Sequence, residues 1–328
     1  MSSVKGGGVT ESCNCTDTCG YFASLWFPSR QRALAAAWFM AAAPISTAIG
    51  SPISGAIMQL PPLFGLADWQ LLYVLEAVPA VLLGFVVLRR LTDSPSKATW
   101  LAAAERDWLI AKLAQEAAAR EAQGGHTSGA WKALSDPRVL ALALIYFGTS
   151  AGLYTLGLWA PLMIRQFGFS AFETGLLNGI PSLVAVVAMV AWARRSDRTG
   201  ERTWHVVIPC VLACAGFILA GQASTAFTIV GALLIVNVGI SAAKAPLWAM
   251  PSLFLSGAGA AAGIATINSL GNLGGFVGPA MIGWLKHETG SYEAGLYFVA
   301  ATLAVSAIVT LLLSRKGGTR SVVAQVDH

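Results

Sequence analysis

Six residues set inside long apolar runs are of types that could meet a solute. Lys244 carries a charge that hydrocarbon cannot hold unpaired without cost, so it faces an interior, pairs, or snorkels toward a polar surface. Facing an interior, it is a counter-charge for an anion. Glu76 lies a few residues inside another run and reads either as a proton-relay carboxylate or as a structural group. Asn268 and Asn272 stand four residues apart, hence on one helical face. Their amides need partners, supplied either by a facing helix or by a ligand. Tyr154, near the middle of its run, and Trp159, toward one end, join an apolar body to a polar tip. Both could line a solute cavity; equally, Tyr154 could be packing and Trp159 an interfacial anchor.

A second constellation is the charged stretch Arg194-Arg195-Ser196-Asp197-Arg198-Thr199-Gly200-Glu201-Arg202. An acid, a turn glycine and spaced arginines suit a charge network at helix ends, with Asp197 accepting from helix amides or a neighbouring arginine. Topology-setting charge explains the same residues. No G-x-S-x-G, H-E-x-x-H or P-loop lysine is present, and His126, His205, His287 and His328 are scattered. Cys210 and Cys214 share a helix face as small packing residues. The expectation is no enzyme, no catalytic residue, no metal site and no cofactor.

The elements that must position these residues follow from composition. Of 328 residues, 55% are hydrophobic and 11% charged, against roughly 25% charged in an ordinary soluble domain. This excludes a soluble two-domain protein, intrinsic disorder and a disulfide-stapled module. A membrane-crossing helix needs about 20 mostly apolar residues. Eight runs qualify, near 34–60, 69–91, 139–164, 172–193, 205–222, 225–250, 259–285 and 292–314, with 205–222 the shortest. The fold class is all-α, a polytopic membrane helix bundle, with the lipid bilayer as its surroundings.

The net charge of +5 does not argue for nucleic acid, because what matters is which loops hold the positives. Of the 21 Lys and Arg, 17 fall before the first run, between the second and third, between the fourth and fifth, or after the last. The opposite loops hold only Arg165 and Lys286; Lys5 lies in the leader and Lys244 inside a run. That asymmetry places both ends of the helical region in the cytoplasm.

Residues 1–20 form a polar, Gly-rich leader with Cys13, Cys15 and Cys19, whose spacing does not suit zinc; they are expected to be spurious or frame-shifted. Tyr21–Pro28 reads as the tail of a helix. Residues 93–137 form one long polar segment with an amphipathic helix from Trp100 to about Gln123, stopped by Gly124 and Gly125. Residues 138–316 hold six runs, and 317–328 a tail. The organisation suggests two bundles: a remnant over 21–92 and a complete six-helix bundle after the linker.

The loop at Arg194–Arg202 resembles the D-R-x-G-[RE]-R gating motif of the major facilitator superfamily, and it follows the second run of a six-run half, as that motif does. Further stretches are similar to the anion:cation symporter branch, which includes bacterial tartrate, phthalate and hydroxyphenylacetate permeases. These are Trp26-Phe27-Pro28 with Arg30 and Arg32, Gly50-Ser51-Pro52-Ile53-Ser54-Gly55, Glu76-Ala77-Val78-Pro79-Ala80, and Asn268-Ser269-Leu270-Gly271-Asn272-Leu273-Gly274-Gly275-Phe276-Val277-Gly278-Pro279.

The resemblance covers about 21–316. It implies that the eight runs are the fifth to twelfth helices of a twelve-helix architecture, with a midplane solute site between the halves. It further implies secondary transport of a small organic anion, a carboxylate, with a proton, by alternating access in a bacterial inner membrane. Arg194, Asp197, Arg198, Gly200 and Arg202 would form the gate. Tyr154, Trp159, Lys244, Asn268 and Asn272 would bind substrate, and Glu76 is the candidate coupling group. The alternative is a non-transporting membrane remnant with a packing or scaffold role. Which anion is carried and the oligomeric state are left open.

Overall fold

The computed structural model describes residues 26–27, 29–61, 65–92, 94–98, 100–122, 136–251 and 257–316. The leader cysteines Cys13, Cys15 and Cys19, the stub from Tyr21 to Ser24, the stop glycines Gly124 and Gly125, and the tail from residue 317 lie outside them. The described residues form nine α-helices and no strand: α1 Ser29–Ile57, α2 Asp68–Arg90, α3 Ala103–Ala122, α4 Pro137–Arg165, α5 Ala171–Thr199, α6 Thr203–Gly221, α7 Ala226–Ala249, α8 Gly257–Thr289 and α9 Glu293–Lys316. A 3-10 turn spans Pro95–Lys97. The all-α reading holds.

Local chemistry explains the boundaries. Asp136 caps α4 by accepting from the Arg138 N–H at 2.8 Å, and Pro137 occupies the first turn, where its missing donor costs nothing. Ser170 and Glu173 make a reciprocal capping box on α5, and Thr225 with Thr228 does the same on α7. Gly200 closes α5 in the left-handed region, φ 65°. The linker helix begins at Ala103 rather than Trp100, and a separate 3-10 turn at Pro95–Lys97 precedes it.

Each of the eight apolar runs falls on a helix. Among the described residues, six helices are long and apolar enough by themselves to cross a membrane: α2, α4, α5, α6, α7 and α9.

The described residues divide into two compact units, one within 1–42 and 83–123, the other within 43–82 and 124–328. In the larger unit α4 packs against α7, α8 and α9, and α6 packs against α7 and α9. One core gathers Leu156, Phe217, Val236, Ile240 and Leu303, and a second gathers Val139, Leu142, Val206, Leu247 and Ile267. Two seams need glycine. A Cβ on Gly274 of α8 would strike the Phe147 carbonyl of α4, and one on Gly175 of α5 would strike the Ser51 carbonyl of α1. In the smaller unit, Trp26 stacks on Trp100 with ring centroids 5.7 Å apart.

Candidate functional site

A cavity of about 120 Å³ opens in the larger unit between α1, α4, α5 and α7. Leu153, Leu156, Ile164 and Leu233 make its apolar side. Its polar side is Thr47 of α1, Asn178 and Ser182 of α5, and Asn237, Ser241 and Lys244 of α7. Helical spacing builds that side: 178 and 182 are one turn apart, and 237, 241 and 244 form a single stripe. Among the described residues, no carboxylate lines the cavity. Lys244 has no hydrogen-bond or ion-pair partner among the described residues.

The polar side is braced from behind. Asn237 Nδ2 donates to Ser182 Oγ at 3.2 Å, and Ser241 Oγ donates to Asn237 Oδ1 at 3.4 Å. Asn178 Nδ2 donates to Ser51 Oγ at 3.1 Å, tying α5 to α1. The arrangement is a cation beside oriented amides and hydroxyls, which suits a small anion.

The structure sets the other candidates elsewhere. Asn272 Nδ2 donates to Asn268 Oδ1 at 2.9 Å, and the Tyr146 hydroxyl of α4 reaches Asn272 Oδ1 at 3.4 Å. Tyr146 in turn meets Trp248 edge-on at 5.1 Å. Tyr154 is 47% exposed and lies against Gly275. Trp159 Nε1 donates to the Pro279 carbonyl at 3.2 Å, and its ring meets Tyr292 at 5.5 Å. Lys286 bonds the Tyr292 hydroxyl at 2.6 Å and sits 5.7 Å from the Trp159 ring. Ser54 of α1 bonds the Glu76 carboxylate of α2.

In the charged loop, Asp197 pairs with Arg202 at 2.6 Å. Arg202 Nη1 also donates to the buried Ser196 Oγ at 2.9 Å, and Ser196 donates to the Glu201 carbonyl at 2.9 Å. Glu201 accepts from the Trp204 N–H at 2.9 Å, a carboxylate at the start of α6 where the helix dipole favours it. Arg194 and Arg198 are exposed and make no ion pair among the described residues. Gly200 supplies the reversal that brings Arg202 back over Asp197.

Sequence reasoning singled out Lys244 of the cavity but not Asn178, Ser182, Asn237 or Ser241. Their signal was present, as polar residues recurring at helical spacing in otherwise apolar runs.

The sequence matches the family model described as Major Facilitator Superfamily over residues 15–279. It is 60% identical over 294 residues to an Agrobacterium vitis protein provisionally named a tartrate transporter, covering 90% of this chain and 65% of that one. A second A. vitis protein with the same name is 58% identical over 311 residues, covering 94% and 70%. The chain therefore spans about two thirds of the length of these relatives. Among solved structures, the proton:xylose symporter XylE superposes with a TM-score of 0.66 at 16% identity, covering 90% of this chain and 66% of that one. That likeness supports the fold.

Proposed function

The chain belongs to the major facilitator superfamily, and from that premise we propose secondary transport, not enzymatic catalysis. The solute in this reading is a small organic anion, a carboxylate, carried with a proton by alternating access. The observation that carries it is Lys244 in a cavity where, among the described residues, it has no partner and no carboxylate beside it. A half-buried cation inside a membrane helix without a counter-ion is costly, and an entering carboxylate offsets that cost. Size agrees, since about 120 Å³ is the room of roughly four waters, well below the ~300–1,000 Å³ of drug-sized pockets. The name of the A. vitis relatives makes tartrate the first solute to test.

In this reading Tyr154, Trp159, Asn268 and Asn272 line the solute's route beside Lys244. Arg194, Asp197, Arg198, Gly200 and Arg202 form the gate, and Glu76, held by Ser54, carries the coupled proton. Residues 138–316 act as a six-helix bundle following the linker at 93–137. The chain is a multi-pass protein, and we place it in a bacterial inner membrane with both ends of the helical region cytoplasmic.

The test is uptake of radiolabelled tartrate into proteoliposomes under an inward proton gradient. The expected result is saturable uptake that collapses with an uncoupler and is lost in Lys244→Met. No saturable uptake would favour the scaffold alternative. Saturable uptake unaffected by Lys244→Met would remove Lys244 from the site.

A further inference from the structure

We infer that Asn237, braced by Ser182 and Ser241, reads a hydroxyl on the ligand whose carboxylate Lys244 holds, so that the cavity takes a hydroxy-carboxylate. The inference rests on the anion reading of the same cavity.

Hydrogen-bond accounting carries it. An asparagine amide offers two N–H donors and two carbonyl lone pairs. Asn237 commits one N–H to Ser182 and one lone pair to Ser241. Ser182 and Ser241 are 2% and 4% exposed, and their two bonds hold the amide in one orientation. What Asn237 presents to the cavity is therefore one donor and one acceptor. An ionised carboxylate accepts only and would leave the amide oxygen unmatched. A hydroxyl donates and accepts, and matches both.

Asn178 repeats the pattern. It gives one N–H to Ser51 and keeps a second N–H and its carbonyl oxygen without a partner among the described residues. Lys244 follows Asn237 by seven residues, about two turns and roughly 11 Å along the axis. Helical side chains lean toward the N-terminus, so its ammonium reaches back toward Asn237 across the cavity they both line.

The probes are tartrate, malate and succinate, which share a four-carbon diacid skeleton and carry two, one and no hydroxyls. Binding of each radiolabelled acid is measured on the chain in nanodiscs. Affinity is expected to fall along the series by about three- to tenfold per hydroxyl. Asn237→Leu should flatten the series while leaving succinate within about twofold, the net worth of a weak hydrogen bond at most. Asn237→Ser, which keeps a donor and an acceptor, should restore part of the slope, an outcome that separates recognition from misfolding. Equal affinity of the three acids for the unmodified chain overturns this inference alone. So does an unchanged slope in Asn237→Leu, or an equal loss of all three acids in both variants. Binding of none of the acids, or full binding in Lys244→Met, overturns the anion reading as well.

Discussion

Asn272 shows how a single amide can be placed correctly on a helix face while its partner stays hidden. The i, i+4 spacing with Asn268 was visible in the sequence, and the two amides do face the same way, with Asn272 donating to Asn268 at 2.9 Å. What spacing cannot reveal is the third member, Tyr146, 126 positions away along the chain. Lys244 was legible because a lone charge in an apolar run demands an explanation. Asn237 was not, because an amide there is satisfied by any neighbouring helix and only the cavity shows which atoms it leaves free.

Two substitutions separate these roles. Asn272→Ala removes an interhelical tie and should lower stability by about 0.6–1.7 kcal/mol, the range for such bonds in membranes. Tyr146→Phe, which removes the 3.4 Å contact to Asn272 but leaves the 2.9 Å bond between Asn272 and Asn268 in place, should cost less. Thermal melting in detergent reads both. A larger loss in Tyr146→Phe than in Asn272→Ala would show that the hydroxyl holds more of the seam than its bond to Asn272.

Among the elements, the helices were the most legible part of the fold, because hydrocarbon thickness fixes their length and caps fix their ends. The seams between them were half legible. Gly271, Gly274, Gly275 and Gly278 recur at three- and four-residue spacing, a pattern that suits close packing and bending alike. The structure sets them against Tyr146, Phe147, Tyr154 and Ala151 of α4, a close-packed seam along one helix. The second seam, where Gly175 and Gly179 meet Ser51 and Ala48, carried the same four-residue spacing without being singled out.

Gly274→Val drives a side chain into the Phe147 backbone and should cost about 1–3 kcal/mol. Gly231→Ala is the control: nothing lies within 4 Å of its added Cβ, and the gain in helix propensity, up to about 1 kcal/mol, should leave stability equal or higher. Both read out as melting temperature. Gly200→Val belongs with them, since φ 65° costs a β-branched residue about 1–2 kcal/mol and loosens the turn that returns Arg202 to Asp197. A melting temperature unchanged in Gly274→Val would mean that the seam yields, which is what bending rather than fixed packing requires.

At the scale of the whole molecule, the exterior is apolar where a soluble protein's would be charged. Phe227 is 89% exposed, Phe276 75% and Val187 70%, and the apolar window of α2 is only 6% buried. Such surface is stable only against lipid or further protein. Once the helices lie in a bilayer, the unequal distribution of Lys and Arg decides which side each loop takes. The exposed Ser96 lies in the basic segment after α2, and the exposed Ser224 lies in the loop between α6 and α7, which has no Lys or Arg. With the five native cysteines replaced by serine, Ser96→Cys and Ser224→Cys should therefore differ in intact cells. A membrane-impermeant maleimide added from outside should label Ser224→Cys and reach Ser96→Cys only after the membrane is opened. The reverse pattern would invert every loop assignment and put the Asp197–Arg202 pair on the outer face. Labelling of both positions in intact cells would mean that the intervening helices do not cross the membrane in the register that their lengths and charges require.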